Sequence, residues 1–550
     1  MFVFCLKAAG FTYIIRMDKV SDKVENKNKK SFVRGALILT VGGVVAKVLG
    51  AVYRIPLTNL LGTEGTGLYQ LVFPLFMMLI TLSTGLSVAI SRLVAQSDET
   101  ASCLNCRLIL RCGTLLSGGA GLLFSVLLFV FADGIAKIQG NVAIAAAYRA
   151  LSPAVFLVSV ASAFKGYFAG VMKMFPNALS QIAEQTVKLV AGLLFARAFL
   201  PDVNAAVSGA VFAVTLSEVA GTAVLLIAFL KERRKPQPKP FCGATFFDKK
   251  ITADLLKIAL PVTLCGVLLP LSQLTDSAMV LKLAGQNATR LYGVWSGPVH
   301  SMYAMPVILA GGVAAAILPS ISGSAAARDA KSIQKKVNVA FKMDNVIVLP
   351  CAVGFLLLSK QIISLLYGAL PQSDVLLAAE LLTICSAACA LITYHGTFSS
   401  VLNGLGKEYV SLLILVAGIT VKTVVNFFLL PIANINVFAV AFSTVLCYLL
   451  CVAISAVYLK KLVGIRYDVF DSFVKPLANC VIMAAAIITF KALFPDFADS
   501  AVGTLVIVAM AGAIYVCCTL AFNVFEGVSF KAVAKKFARG KNNENIGVAR

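Results

Sequence analysis

From about residue 31 to residue 523 the chain alternates long apolar runs with short connections that carry most of its charge. A helix that crosses a bilayer needs about 20 apolar residues. Fourteen runs reach that length, at 34–60, 68–95, 107–132, 145–170, 177–199, 204–230, 255–284, 297–322, 336–359, 377–402, 408–431, 435–459, 474–493 and 501–523. The pattern predicts an all-α polytopic membrane protein.

The connections alternate in charge, and cytoplasmic connections are the ones enriched in Lys and Arg. Basic residues gather before the first span (Lys27, Lys29, Lys30, Arg34) and between the second and third (Arg92, Arg107, Arg111). They recur at Lys165 and Lys173, in "KERRKPQPKP", at Arg328, Lys331, Lys335 and Lys336, at Lys407, at Lys460, Lys461 and Arg466, and in the last 27 residues, 524–550. The intervening connections "LGTEGTG", "LPDVN" and "LPIANIN" have almost none. Both termini are therefore expected in the cytosol, in the plasma membrane of a bacterial cell. The first sixteen residues put apolar positions before charges, the reverse of a secretory signal, and Met17 is an alternative start. The segment "MDKVSDKVENKNKK" reads as a solvated tail.

Composition agrees: 59% of residues are hydrophobic, 13% are charged and the mean hydropathy is +0.90, outside the range of soluble domains. The net charge of +23 raises nucleic acid as a partner, but loop cations that set orientation account for it, and no nucleic-acid partner is expected. The 14 cysteines sit mostly singly in apolar runs, where a thiol behaves as a small hydrophobe. "CLNC" at 103–106 lacks a second pair to complete a zinc site, and "GLGKE" lacks the earlier glycine and the Ser or Thr of a phosphate loop. No cofactor and no metal is expected.

Two halves resemble one another. Gly166 aligns with Gly396, Phe168 with Phe398, and Thr186-Val187-Lys188 with Thr420-Val421-Lys422. The expected organisation is an N-terminal tail (1–33), a six-span lobe (34–230), a basic linker (231–254), a second six-span lobe (255–459), two further spans (460–523) and a basic tail (524–550). Parallel repeats of this kind place a transporter's ligand site between lobes near the midplane.

Charges inside spans are costly and mark functional candidates. Lys47 and Arg54 are seven residues apart, on nearly one face of the first span, with Gly43 and Gly50 on the same stripe. Lys188 and, at a span end, Arg92 complete the candidate substrate-binding set, with interface anchoring the other reading of Arg92. A second group consists of Glu184, Glu218, Asp276, Lys422, Asn426 and His300, expected to form a coupling or cavity charge network. Glu184 and Lys188 have the i, i+4 spacing of a helical ion pair, which is the structural alternative for both. His300 and His395 are the two histidines, and a hydrogen-bonded structural role stands beside proton coupling for each. Trp295 falls in an outer connection on this reading.

The stretches "AKVLGAVYRIPLTNLLG", "LSTGLSVAISRLVAQ", "LSQLTDSAMV" and "ILPSIS" resemble the stage V sporulation protein B and lipid II flippase branch of the multidrug, oligosaccharidyl-lipid and polysaccharide exporter superfamily. The resemblance implies alternating access and export of an undecaprenyl-pyrophosphate-linked sugar for peptidoglycan or another polysaccharide. The implied partners are that lipid-linked oligosaccharide, membrane lipids and cell-wall synthesis proteins. It also implies that Lys47 matches a first-span cation and Asp276 a seventh-span acid. Some members bind sodium between the seventh, eleventh and twelfth spans, where this chain has Lys422 and Asn426, and a protonated Lys cannot ligate a cation. A multidrug exporter of the same superfamily and an integral-membrane lipid-sugar transferase are the competing functions. The first needs acids or aromatics facing a cationic drug, the second a convergent catalytic set.

Overall fold

The computed structural model describes residues 26–99, 103–233, 248–433, 435–464, 467–468 and 470–522. The start at Met17, most of the basic linker and the C-terminal tail lie outside them. Every regular element is helical: α1 (Asn26–Leu71), α2 (Phe73–Glu99), α3 (Cys103–Val130), the short α4 (Ala132–Gln139), α5 (Ala145–Gly170), α6 (Phe175–Phe199), α7 (Val203–Arg233), α8 (Lys249–Leu283), α9 (Ala288–Val294), α10 (His300–Ala326), α11 (Ala330–Tyr367), α12 (Gln372–Gly404), α13 (Glu408–Leu429), α14 (Phe438–Val463), α15 (Lys475–Leu493), α16 (Pro495–Ala498) and α17 (Ala501–Ala521).

Among the described residues, twelve segments are long and apolar enough to cross a membrane. They differ from the fourteen expected in two places. The first, Val45–Ser97, has 53 residues, about 80 Å of helix and more than two bilayer cores. It runs from Val45 in α1 to Ser97 in α2, and it turns at Gly62, whose φ of 69° and ψ of −178° suit glycine alone. Phe175–Phe199 is missing from the twelve because Glu184, Lys188 and Arg197 interrupt its apolar run.

Three local expectations are corrected. Helix α1 begins at Asn26, inside the segment read as tail, because an adjoining helix supplies the nucleus that polar residues cannot form alone. "LGTEGTG" is helical on both sides of Gly62 rather than an open connection. Trp295 is buried, in a π-helical turn at Trp295–Val299, because the neighbouring Gly293 and Gly297 let this turn press against α1.

Helices α1, α2, α3, α5, α6 and α7 pack mainly on one another, as do α10 to α14, while α15 and α17 pair and rest on α11. At the tip of that pair, Asp499 accepts a hydrogen bond from Gln361 at 2.8 Å, and this bond with the nearby Lys360 ammonium holds its carboxyl below the ordinary range. Helix α8 bridges the two groups. Its first half lies along α2, with Leu255 and Ala259 in the core of the first group, and its far end bonds to α13.

The cores show how the groups meet. One buried cluster runs through both, joining Tyr53, Leu57 and Leu61 of α1 to Tyr292, Trp295, Val299 and Tyr303. Toward the other end the core divides, with Ile90, Ile109 and Phe164 on one side and Ile321, Val337 and Val401 on the other. The molecule is thus closed at the end carrying Gly62 and divided at the opposite end.

Candidate functional site

The closed end is a seam in which backbone meets backbone. A Cβ on Gly293 would meet the Thr63 carbonyl oxygen, and one on Gly67 the Thr289 carbonyl oxygen, so glycine is the residue that allows α1 and α9 this approach. Side chains fasten the seam: Thr63 donates to Asp374 Oδ2 at 2.6 Å and Asn59 donates to the Leu366 carbonyl at 2.9 Å. Arg290 Nε holds the other Asp374 oxygen at 2.8 Å. Gln139 reaches Ser277 at 3.3 Å and Asn141 reaches Thr289 at 3.1 Å. Beyond His300, α10 leaves α1, and Cβ atoms built on Gly311, Gly312 and Gly323 would meet nothing within 4 Å.

Two charge clusters flank the level at which seam gives way to division. In the first, Lys188 of α6 lies over the rings of Tyr53 and Phe73, 5.6 and 5.3 Å from their centroids. Aromatic faces attract the ammonium without neutralising it. The helical pair with Glu184, the structural alternative for both residues, does not form: Glu184 accepts from Lys165 of α5 at 2.9 Å and packs against Gly221 of α7. The reason is geometric, since α5 presents an ammonium to the buried face of α6 on which Glu184 lies. Glu218 of α7 sits within electrostatic reach of Glu184, Lys165 and Lys188. Arg54 directs Nη1 to His300 Nδ1 at 3.4 Å, across the two helix groups. Arg54, Lys188 and Lys47 have no acidic partner among the described residues.

Lys47 is exposed on α1, and the glycines beside it face α6: a Cβ on Gly50 would lie 3.1 Å from Gln185 Oε1, and one on Gly43 3.8 Å from Gln181 Oε1. Arg92 is exposed near the end of α2, away from this cluster.

The second cluster joins α8, α13 and α14. Lys422 pairs with Asp276 Oδ2, Asn426 donates to Asp276 Oδ1 at 3.0 Å, and Ser443 donates to Asn426 Oδ1 at 2.6 Å. Asp276 is 8% and Lys422 12% exposed in their side chains, so the pair is largely desolvated. This donor set does not fit sodium. The ammonium of Lys422 already occupies the carboxylate, and the Asn426 oxygen is taken by Ser443.

Several polar residues elsewhere in the helix groups were not singled out from the sequence. Asp344 is fully buried in α11, with one oxygen accepting from Thr397 at 2.6 Å and the other unpartnered. It lies inside an apolar run, so the rule that intramembrane acids are candidates would have found it. Asp374 and Arg290 lie at span ends, and no local signal distinguishes them from loop charges.

Residues 32–324 match the family described as polysaccharide biosynthesis protein. The chain is 25% identical over 507 residues to stage V sporulation protein B of Bacillus subtilis (strain 168), covering 90% of this chain and 96% of that protein. It is 24% identical over 541 residues to lipid II flippase MurJ of the same organism, covering 92% and 98%. Among solved structures, lipid II flippase MurJ in an inward closed conformation superposes with a TM-score of 0.68 at 17% identity, covering 88% of this chain and 99% of that one. An inward-facing multidrug resistance MATE family transporter of the MOP superfamily gives 0.67 at 15%, covering 78% and 98%. These structures share the fold.

Proposed function

Because the chain belongs to the polysaccharide biosynthesis protein family, we propose that it is a flippase moving an undecaprenyl-pyrophosphate-linked sugar from the inner to the outer leaflet by alternating access. Such a headgroup must leave water, and burying its phosphates unpaired would cost far more than the few kcal/mol of one helix-borne charge. The observation that carries the reading is the presence of Arg54 and Lys188, cations without acidic partners, where the two helix groups part. They offer charge-assisted hydrogen bonds to phosphate. With the basic connections in the cytosol, the divided end faces the inner leaflet, and the space between the helix groups loads from there. The polyprenyl chain stays in lipid where α10 leaves α1, and the seam is the outer gate. The lobes 34–230 and 255–459 rock against each other with α8 as the connection.

Of the acids in these clusters, Asp276 pairs with Lys422 and Glu184 with Lys165, while Glu218 lies within electrostatic reach of Lys165 and Lys188 without an ion pair of its own. In these clusters the unpaired cations Arg54 and Lys188 outnumber the unpaired acid Glu218, which favours a lipid-linked anion over a multidrug substrate. Native mass spectrometry of the protein extracted from its own membrane tests the reading. A co-purified undecaprenyl-pyrophosphate sugar, lost in Arg54→Ala with Lys188→Ala, is the expected result. Retention of an uncharged or cationic ligand by that variant would overturn it.

A further inference from the structure

The closed seam contains buried hydroxyls without a well-formed hydrogen bond. Tyr53, Tyr69 and Thr66 of α1, Ser301 of α10 and Tyr367 of α11 are between 0% and 5% exposed, and none of their hydroxyls makes a hydrogen bond. They are not scattered. Tyr53 and Tyr69 face one another with ring centroids 6.4 Å apart, and Tyr367 faces Ser301, each pair short of a completed bond. The Arg54 guanidinium acts on both Tyr69 and Tyr367, Tyr53 precedes it in sequence, and Ser301 follows its partner His300. One hydroxyl pair belongs to each helix group, with Arg54 between them. Protein interiors pair their polar groups, so unpaired hydroxyls gathered around one cation point to a partner that arrives when the helix groups part.

We propose that these hydroxyls form a sugar-binding belt around Arg54, at the level where the two helix groups meet. The inference rests on the flippase reading and deepens it. Arg54 and Lys188 take the pyrophosphate, and the belt takes the hydroxyl and carbonyl groups of the sugar attached to it. Hydroxyls suit that task because each both donates and accepts, as a sugar hydroxyl does. Tyrosines add apolar ring faces against which a pyranose can lie. As the seam parts, the two pairs separate with their helix groups and are free to bond the passing headgroup, and they lose those bonds when the seam closes behind it. A site that hydrogen-bonds a ligand hydroxyl discriminates strongly against an analogue lacking it.

The full chain in lipid nanodiscs is titrated with two probes, undecaprenyl pyrophosphate and undecaprenyl pyrophosphate carrying a disaccharide. The readout is the ratio of the two affinities. The native chain should favour the sugar-bearing lipid, and the combined change Tyr69→Phe, Tyr367→Phe and Ser301→Ala should reduce that preference at least tenfold. The thermal midpoint of the empty variant should stay level or rise, because unpaired hydroxyls are removed without changing ring packing. Each Tyr→Phe change alone should reduce the preference, which serves if the triple variant does not fold. An unchanged ratio in the folded variants overturns the belt while leaving the pyrophosphate site standing. A native chain that binds neither lipid overturns the flippase reading, and the belt with it.

Discussion

Lys422 and Asp276, 146 residues apart, form an ion pair between α13 and α8, and Asn426 holds the second carboxylate oxygen at 3.0 Å. The aligned residue in the other half, Lys188, has aromatic rings where Lys422 has an acid. One of two corresponding cations is thereby neutralised and the other left available.

Removing one member of a buried pair leaves the other charge uncompensated, at about 3 to 5 kcal/mol in soluble proteins. Asp276→Asn and Lys422→Gln are each expected to lower the thermal midpoint and transport, and the double change to recover part of both. Thermal unfolding in detergent and flipping in proteoliposomes measure this. With the ammonium on the carboxylate, transport should be the same in sodium as in potassium. Sodium dependence lost in Asp276→Asn without recovery in the double variant would contradict the pairing.

Lys47 is exposed on α1 and Arg54 lies two turns along, so both can meet an anion. Lys47→Ala should reduce lipid flipping more than tenfold at an unchanged thermal midpoint, and Lys47→Arg should retain most of it. Arg54→Lys should not rescue, because an ammonium cannot reach His300 and a phosphate with the same planar fork. Full flipping by Lys47→Ala would remove it from the site.

The seam depends on glycine, so Gly293→Ala should hold the closed end apart by placing a methyl group at the Thr63 carbonyl. In a cysteine-depleted background, a cysteine at Thr66, buried in the closed seam, should then react with an impermeant maleimide several-fold faster than in the Gly293 parent. Equal rates would mean that the seam accommodates the methyl without opening.

Loop charge sets the expected orientation. Cysteines at Asp202 and Lys335, both exposed, should differ in intact cells: the first labelled by an impermeant reagent, the second only after permeabilisation. The reverse pattern would invert the topology and place the divided end outside.

The spans were legible because length and apolarity are properties of a local run. The run at 145–170 coincides with α5, and those at 177–199 and 474–493 lie within two residues of their helices. Lys47, Arg54, Lys188, Asp276 and Lys422 were equally legible, since a charge in an apolar run is costly wherever the chain folds. Their partners were not. A partner depends on which helix faces presses against which, and that is fixed by packing between elements far apart in sequence. Glu184 has Lys188 one turn away on its own helix yet bonds Lys165. Trp295, placed by sequence in a connection, is buried because two glycines admit α1. The Thr63–Asp374–Arg290 fastening joins three helices whose residues carry no local sign of meeting. Sequence alone determined that charges must be buried in this membrane protein, because each apolar run carries its own cost of insertion. Only the tertiary structure decided which charges are neutralised and which stay available, because neutralisation requires a second side chain within hydrogen-bond reach.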